Sequence, residues 1–174
     1  MSFRFTGTRR PRSPYRRVGF AGIDSPFNEN PLVFQRSQLH MPSIFSKIIA
    51  REIPARILYE DDQVIAFLDI NPIAPGHTLV VPKHEEPNLL ASSEEDMIAV
   101  IRAVRLVAPA ILKAVGAEGF TTTSATGAVS GQSVFHTHIH IIPRFPNDGH
   151  LSWQPTTMSA EALDEVSAKI KNYL

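Results

Sequence analysis

The sequence predicts an α+β domain built around a mostly antiparallel five-stranded sheet. Two apolar-rich runs, residues 56–60 and 63–69, flank an Asp61-Asp62 pair in the pattern of a β-hairpin. A second pair of strand-like runs, 120–124 and 134–142, follows one long helical pattern. Strands, one long helix and further strands in this order are typical of a sheet that is covered by a helix.

The elements before the long helix are bounded by residues that start or stop regular structure. A short helix is predicted over residues 43–50, with Ser43 as its N-cap and Pro54 just beyond its end. A third strand is predicted over residues 77–83, after the proline- and glycine-rich loop 71–76.

Two amphipathic helices complete the predicted elements. Ser92 and Glu95 have the spacing of a capping box, and Gly116 marks the end of the long helix. Pro109 lies inside this helix, so a kink or a brief break is expected there. A shorter terminal helix is predicted over residues 160–173. The residues expected to face the core are Met97, Ile101, Val104, Ala108, Ile111 and Val115 in the long helix, and Leu163, Val166 and Ile170 in the terminal helix.

The first forty residues differ in composition from the rest of the chain. They contain seven arginines and two acidic residues, whereas residues 41–174 contain ten basic and fifteen acidic residues. Residues 1–40 are therefore predicted to be a basic, disordered extension, with an organellar targeting segment as the alternative. Residues 41–174 are predicted to be the folded domain with its C-terminal helix, and Met41 could serve as a start.

Composition also argues against several classes of protein. No run of about 18 apolar residues is present, so no membrane-spanning segment is predicted. The acidic balance of residues 41–174 argues against a nucleic-acid-binding surface. The absence of cysteine excludes disulfides and thiolate metal sites. A cytoplasmic or nuclear location is expected, and mitochondrial targeting by residues 1–40 is the alternative.

Histidines occupy three alternate positions, His136, His138 and His140, in the run 134–142. Strict alternation predicts a β-strand in which the three imidazoles share one face. A metal site is one interpretation, but three residues spread along a strand make a single-ion chelate awkward. Attack of a neutral imidazole on phosphorus is the favoured interpretation, because flanking histidines can fix the tautomer of the central ring and donate to a phosphoryl oxygen.

The residues just before the histidines suit a phosphorylated ligand. The small-residue loop 127–131 allows a close approach of backbone to ligand. Gln132 and Ser133 follow this loop and can donate hydrogen bonds to a phosphate or a leaving group.

The segment GQSVFHTHIHIIPR at residues 131–144 resembles the signature of the histidine triad (HIT) superfamily, with Thr137 in place of an apolar residue. Further segments that resemble the family, in the family's order, are residues 43–49, 52–55, 59–62, 66–70 and 75–83. The branch that the chain most resembles is the Hint-like nucleoside phosphoramidase branch.

The resemblance implies a homodimer whose two sheets join, with a purine nucleoside monophosphate bound by each subunit. It implies that His138 is the nucleophile toward the α-phosphorus, and that His136 and His77 form a supporting network. Asp69 is expected to hold the ribose hydroxyls. The base is expected among Ile44, Phe45, Ile48, Phe67 and Ile70, and the phosphate and leaving group near Gln132, Ser133 and His140.

The implied activity is hydrolysis of adenosine 5′-phosphoramidates to AMP and an amine through a nucleotidyl-histidine intermediate. Hydrolysis is favoured over nucleotide transfer because the third histidine is retained, whereas the transferase branch has glutamine at that place. Cleavage of dinucleoside polyphosphates is the enzymatic alternative. A nucleotide-binding regulatory or scaffold protein is the non-enzymatic alternative, and the basic extension favours it.

Two departures from the family's pattern affect the expected site. Many relatives hold a structural zinc with Cys-x-x-Cys where this chain has Ser43 and Ser46. Serine is a poor zinc ligand, so neither that metal nor another cofactor is expected. Relatives also usually carry asparagine at the place of Ala125. The polar contact of that asparagine is expected to be lost, or to be supplied by Ser124 or Thr126.

Overall fold

The computed structural model describes residues 41–149 and 155–174. The disordered or targeting extension predicted for residues 1–40 lies outside the described residues and stays a prediction. Within the described ranges, no helix is both long and apolar enough to cross a membrane.

Five strands form one antiparallel sheet. The strands are β1 (Ile57–Glu60), β2 (Val64–Leu68), β3 (Thr78–Pro82), β4 (Gly119–Thr123) and β5 (Ile139–Arg144), in the spatial order β1-β2-β3-β5-β4. The α-helices among the described residues are α1 (Ile44–Ile49), α2 (Glu94–Val115) and α3 (Ala160–Lys171). The predicted fold class, an α+β domain with a five-stranded sheet, one long helix and shorter terminal helices, is confirmed.

The first hairpin is closed by the carboxylate predicted to lie in its turn. Asp61 Oδ1 accepts hydrogen bonds from the backbone N–H groups of Gln63 and Val64, at 2.8 and 2.7 Å. These bonds satisfy the turn locally, which is the usual reason for aspartate at such a position.

Helices α2 and α3 cover one face of the sheet. The residues buried between these helices and the sheet include Leu58, Val64, Ala66, Leu68, Val80, Ile139 and Ile141 from the strands, with Val100, Val107, Ile111, Leu163 and Ile170 from the helices. Val166 is partly buried against the same cluster, so the predicted inner face of the terminal helix is confirmed.

Helix α1 packs on the opposite face of the sheet. Ser43 begins it as predicted, because its Oγ accepts a hydrogen bond from the N–H of Ser46 at 3.1 Å. Phe45 and Ile48 then bury against the strand residues Ile65, Phe67, Leu79 and Val81. Burial on both faces explains why β2 and β3 read as nearly continuous apolar runs.

The N-terminus and the inner face of α2 differ from the prediction. The N-cap is Ser93, whose Oγ accepts from the N–H of Asp96 at 3.0 Å, and not Ser92. The Ser92 hydroxyl instead lies 2.7 Å from Thr137 Oγ1. Ile101, predicted to face the core, is 47% exposed, and the buried face contains Val100 and Val107.

Helix α2 runs through Pro109 and ends before Gly116. The helix continues through Pro109, so the predicted alternative of a break is wrong. Gly116 ends α2 in the left-handed region, with φ 70°, as predicted.

Gly76 also has a positive φ, 84°, in the loop before β3. A Cβ at Gly76 would lie only 3.0 Å from Ile111 Cγ2, so the loop packs closely against α2.

The histidine run is shorter as a strand than predicted. Strand β5 begins at Ile139, so His140 is the only triad histidine in it. The preceding backbone is held elsewhere, because the N–H and the Oγ1 of Thr137 both donate to the carbonyl of Glu86, at 2.8 and 3.1 Å. His136 and His138 nevertheless both contact Phe45, so their rings lie on the α1 side of the sheet.

Candidate active site

A cavity of about 620 Å³ lies between α1 and the sheet face that α1 covers. All the predicted nucleotide-contacting residues except Gln132 line it, namely Ile44, Phe45, Ile48, Phe67, Asp69, Ile70, Ser133, His138 and His140. The cavity therefore has an apolar wall from α1 and β2, and a polar end at the histidines. Ser130 and Gly131, from the small-residue loop expected to approach a ligand, also line it, whereas the predictions missed Ile53, Pro54, Ala55, Thr123 and Val134.

A backbone carbonyl two residues earlier fixes the tautomer of His138. Its Nδ1 lies 2.6 Å from the carbonyl oxygen of His136. A carbonyl oxygen only accepts, so Nδ1 carries the proton and Nε2 keeps a lone pair. Burial lowers the pKa of His138 below its usual range, although the His136 carbonyl and Asp69 oppose this shift. The ring is therefore neutral at pH 7, with its basic nitrogen at the end opposite the bonded one.

Two consecutive hydrogen bonds through His77 fix the tautomer of His140. The N–H of Ile73 donates to His77 Nδ1 at 3.1 Å, so the proton of neutral His77 is on Nε2. His77 Nε2 lies 2.8 Å from His140 Nδ1 and donates to it. The proton of neutral His140 is consequently on Nε2. The rings of His138 and His140 have centroids 5.0 Å apart, and the two histidines hold opposite tautomers.

Burial keeps this pair of histidines uncharged. It lowers the pKa of His77, and the nearby charge of Asp69 opposes this shift. Burial, together with His138 and His77, lowers the pKa of His140 to about 3. An uncharged His140 can still donate a hydrogen bond from Nε2, but it brings no positive charge into the cavity.

Asp69 closes a turn and also faces the cavity. Its Oδ1 accepts from the N–H of Asn71 at 2.8 Å, which closes the turn after β2. Its Oδ2 lies 3.7 Å from His77 Nδ1, beyond hydrogen-bond distance. The carboxylate also lines the cavity, where it can accept from hydroxyl groups of a ligand.

His136 lies behind the cavity, in a cluster with Ser43, Ser46 and Glu85. Its Nε2 donates to the carbonyl of Pro82 at 2.8 Å, so its Nδ1 accepts the Ser43 hydroxyl proton, also at 2.8 Å. The Ser46 hydroxyl donates to Glu85, and the N–H of Ser43 donates to both Glu85 carboxylate oxygens, at 3.2 and 3.3 Å. No motif in the sequence singled out Glu85.

These four residues do not fit the zinc that many relatives hold with Cys-x-x-Cys. Hydroxyl oxygens are poor zinc ligands, and both serine hydroxyls already donate hydrogen bonds, to His136 and to Glu85. Both serine hydroxyl groups are therefore already engaged in hydrogen bonds within this cluster.

A second group of metal-binding residue types lies nearer the cavity. One ligand atom each of Asp69, His77 and His140 lies within 4.8 Å of the others. The two ring nitrogens are 2.8 Å apart, which is a hydrogen-bond distance. Two nitrogens on a tetrahedral ion at about 2.0–2.1 Å would lie farther apart, so the rings are arranged to bond each other and not to chelate.

The Gln132 side chain holds the loop before it in place through hydrogen bonds to the backbone. The Gln132 side chain is buried: its Oε1 accepts from the N–H of Gly127 at 2.8 Å, and its Nε2 donates to the carbonyls of Pro87 and Val134, at 2.6 and 3.0 Å. The structure thus places Gln132 as a brace of the loop and not at the cavity wall. Ala125 lines the cavity, whereas Ser124 and Thr126 do not.

Comparison with known proteins is consistent with this geometry. A family model described as the HIT domain matches residues 50–147. The chain belongs to the HIT family. It is 42% identical to the Adenylylsulfatase HINT3 of Arabidopsis thaliana over 66% of this chain and 58% of that protein, which agrees with the Hint-like branch.

Two solved structures share the fold. A Hit-like protein from Bartonella henselae, described as involved in cell-cycle regulation, has a TM-score of 0.68 and 45% identity, over 76% of this chain and 96% of that one. A hypothetical histidine triad nucleotide-binding protein from Sulfolobus tokodaii has a TM-score of 0.66 and 34% identity, over 74% of this chain and 89% of that one.

Proposed function

We propose that this HIT protein hydrolyses adenosine 5′-phosphoramidates to AMP and an amine through a nucleotidyl-His138 intermediate. At the coarser level, family membership supports a nucleotide-binding hydrolase. The observation that carries the finer proposal is the tautomer of His138. Its Nδ1 proton is held by the His136 carbonyl, and this leaves the Nε2 lone pair for attack.

The cavity offers matching surroundings for each part of a nucleotide. The base fits against the apolar residues Ile44, Phe45, Ile48, Phe67 and Ile70. Asp69 accepts hydrogen bonds from the ribose hydroxyls. The α-phosphate then lies at the polar end, near Ser133, His138 and His140.

The proposed reaction has two displacements at phosphorus. His138 Nε2 attacks the α-phosphorus, and the phosphorus–nitrogen bond to the amine breaks. The leaving nitrogen takes a proton that solvent supplies through the Ser133 hydroxyl, while His140 Nε2–H donates a hydrogen bond to a phosphoryl oxygen. Water then attacks phosphorus and loses a proton to solvent. The bond to His138 breaks, its electron pair returns to Nε2, and AMP leaves.

The charges of the cavity favour a phosphoramidate over a dinucleoside polyphosphate. Among the described residues that line the cavity, Asp69 is the only acid and there is no lysine or arginine. A bridging polyphosphate would bring several negative charges that no cation of this lining neutralises. The similarity to an adenylylsulfatase makes adenosine 5′-phosphosulfate a second candidate substrate, because its leaving group is a single sulfate.

The deciding experiment compares histidine variants on three substrates. Wild type is assayed with a fluorogenic adenosine phosphoramidate, adenosine 5′-phosphosulfate and a diadenosine polyphosphate, and we expect the phosphoramidate to turn over fastest. His138→Ala should lose at least about a thousandfold in kcat. The matched control is His84→Ala, since His84 is exposed and bonds to Asp96 on the surface. Unchanged turnover in His138→Ala, or no protein-linked adenylate after rapid quenching of wild type, would refute the proposal.

The proposed active unit is a homodimer formed through β4. This strand lies at one edge of the sheet, and its central residues, Phe120, Thr121 and Thr122, are exposed. An open edge with an exposed aromatic residue is suited to pairing with a second copy. The two sheets would then be continuous.

A further inference from the structure

We propose that Glu85 is a positioning residue that keeps His138 in its nucleophilic tautomer, acting through Ser46, Ser43 and His136. The inference deepens the proposed function and rests on it for its kinetic test. It concerns a carboxylate that is not among the described residues lining the cavity.

The first step is the attachment of Glu85 to the start of α1. Its two carboxylate oxygens accept from the N–H of Ser43, and Oε2 also accepts from the Ser46 hydroxyl. Bonds to an ionised acceptor are stronger than bonds between neutral groups. Glu85 follows β3 in the chain, so these bonds tie α1 to the sheet.

The second step passes from α1 to His136. With its hydroxyl lone pairs, Ser43 accepts from the N–H of Ser46 at 3.1 Å. Its hydroxyl proton is then donated to His136 Nδ1 at 2.8 Å. The opposite side of this fully buried ring donates to the carbonyl of Pro82, so the ring is held from both ends.

The third step passes from His136 to the nucleophile. The His136 carbonyl accepts the Nδ1 proton of His138 at 2.6 Å, and the position of this carbonyl therefore selects the His138 tautomer. Phe45 of α1 also meets the His138 ring edge to face, with centroids 5.1 Å apart. Loosening α1 would thus disturb His138 through two routes, one polar and one apolar.

The cluster joins α1 to the segment after β3 by hydrogen bonds, at the two serine positions where zinc-holding relatives carry cysteine. Its hydroxyls have defined donor and acceptor roles, and the Glu85 carboxylate joins α1 to the end of β3. The thermal stability of the wild-type protein should therefore be the same with and without a metal chelator.

The test removes the carboxylate and reads both kinetics and the ring proton. Glu85→Ala should lower kcat by roughly tenfold to a hundredfold, because a small misplacement of a reacting group is enough to do so. Glu85→Gln keeps one acceptor oxygen and should lose less. The matched control is Glu52→Gln, since Glu52 is exposed and lies in the turn after α1; its kcat should equal that of wild type.

The readout that a merely structural role would not move is the imidazole nitrogen spectrum. Long-range ¹H–¹⁵N correlation, assigned with His138→Asn, should show only the Nδ1-protonated form of His138 in wild type. In Glu85→Ala, or in Glu85→Gln if the alanine variant does not fold, a mixture of the two tautomers should appear. An unchanged tautomer in the folded variant, or a change confined to KM, overturns the proposal.

A second pair of variants separates helix capping from donation to His136. Ser43→Thr keeps both functions, whereas Ser43→Gly keeps most of the capping but has no hydroxyl to donate. We expect Ser43→Thr to retain the wild-type tautomer of His138 and the wild-type kcat. Ser43→Gly should show a mixture of the two tautomers and a lower kcat. Equal behaviour of the two variants, or a fall in thermal stability of wild type with chelator, contradicts the proposal. The spectra need no substrate, so a protein inactive on phosphoramidates would refute the proposed function without deciding this one.

Discussion

Ring protons decide what each histidine of this site can do, and each proton is placed by an identifiable partner. A backbone carbonyl fixes His138, and a backbone N–H fixes His77 and, through it, His140. The result is an acceptor nitrogen on His138 and a donor nitrogen on His140, although the two residues are equivalent in the sequence pattern. Sequence alone identified the three histidines. The tautomers of His136 and His140 depend on the distant residues Pro82 and His77, and that of His138 depends on where the local backbone places the His136 carbonyl.

The pH dependence of kcat/KM should follow the lowered pKa of His138. Protonation of Nε2 removes the nucleophile, so activity is present above the His138 pKa and is lost as pH falls through it. Burial lowers that pKa, and it lowers the pKa of His140 to about 3. We therefore expect a flat profile through neutral pH and a decline only below about 6.5, the ordinary histidine value. A decline centred at or above that value would contradict the assignment.

Replacing Gln132 should affect stability more than substrate binding. Gln132→Ala removes three partly buried hydrogen bonds to the backbone and should lower the free energy of unfolding by about 2–3 kcal/mol. Urea denaturation measures this loss. The matched control is Gln63→Ala, since Gln63 is exposed, and it should change stability by less than about 0.5 kcal/mol. A loss of binding without a loss of stability would return Gln132 to its predicted place at the nucleotide.

The secondary-structure elements that sequence predicted well are those whose boundaries are chemically local. Ser43 caps α1 and Asp61 closes the first hairpin with bonds to backbone within three residues. The start of α2 could not be decided locally, because Ser92 and Ser93 are equally good caps. Thr137 engages the hydroxyl of Ser92, and Ser93 is left to cap the helix.

The histidine run shows the limit of periodicity as a guide to strands. Its alternation was correct for the placement of the rings on the α1 side, yet pairing with β3 covers only Ile139 to Ile141. Before this point, Thr137 bonds to Glu86, and His136 bonds to the carbonyl of Pro82 through its side chain. Such long-range contacts leave no signal in a single sequence. The same holds for Glu85.

Two glycines at element boundaries should respond differently to alanine. Both have positive φ, but a Cβ at Gly76 would meet Ile111 and Val115 at 3.0 and 3.1 Å, whereas a Cβ at Gly116 meets no atom of residues 41–149 and 155–174 within 4 Å. Gly116→Ala should lower the free energy of unfolding by about 1 kcal/mol through backbone strain alone. Gly76→Ala should lower it by about 2 kcal/mol or more, because strain and overpacking add. Denaturant titration of both variants checks the order, and equal losses would argue against the close packing of the loop on α2.

At the scale of the whole molecule, the exposed edge strand predicts self-association. Light scattering coupled to size exclusion should give twice the chain mass for wild type. Phe120→Asp places a charge on β4 and should yield monomers. Leu90→Asp is the control, since Leu90 is 73% exposed but lies outside the strand, and it should remain dimeric. A wild-type monomer at all concentrations would refute the proposed dimer.

The hydrogen bonds of Ser43, Ser46 and Glu85, which join α1 to His136 and to the segment after β3, do not depend on groups that oxidants attack. Thiolates at these positions would be open to peroxide, which converts them to sulfenic acids or disulfides. This chain has no cysteine, and serine and glutamate do not undergo that chemistry. The geometry around His138 should therefore be the same under reducing and oxidising conditions.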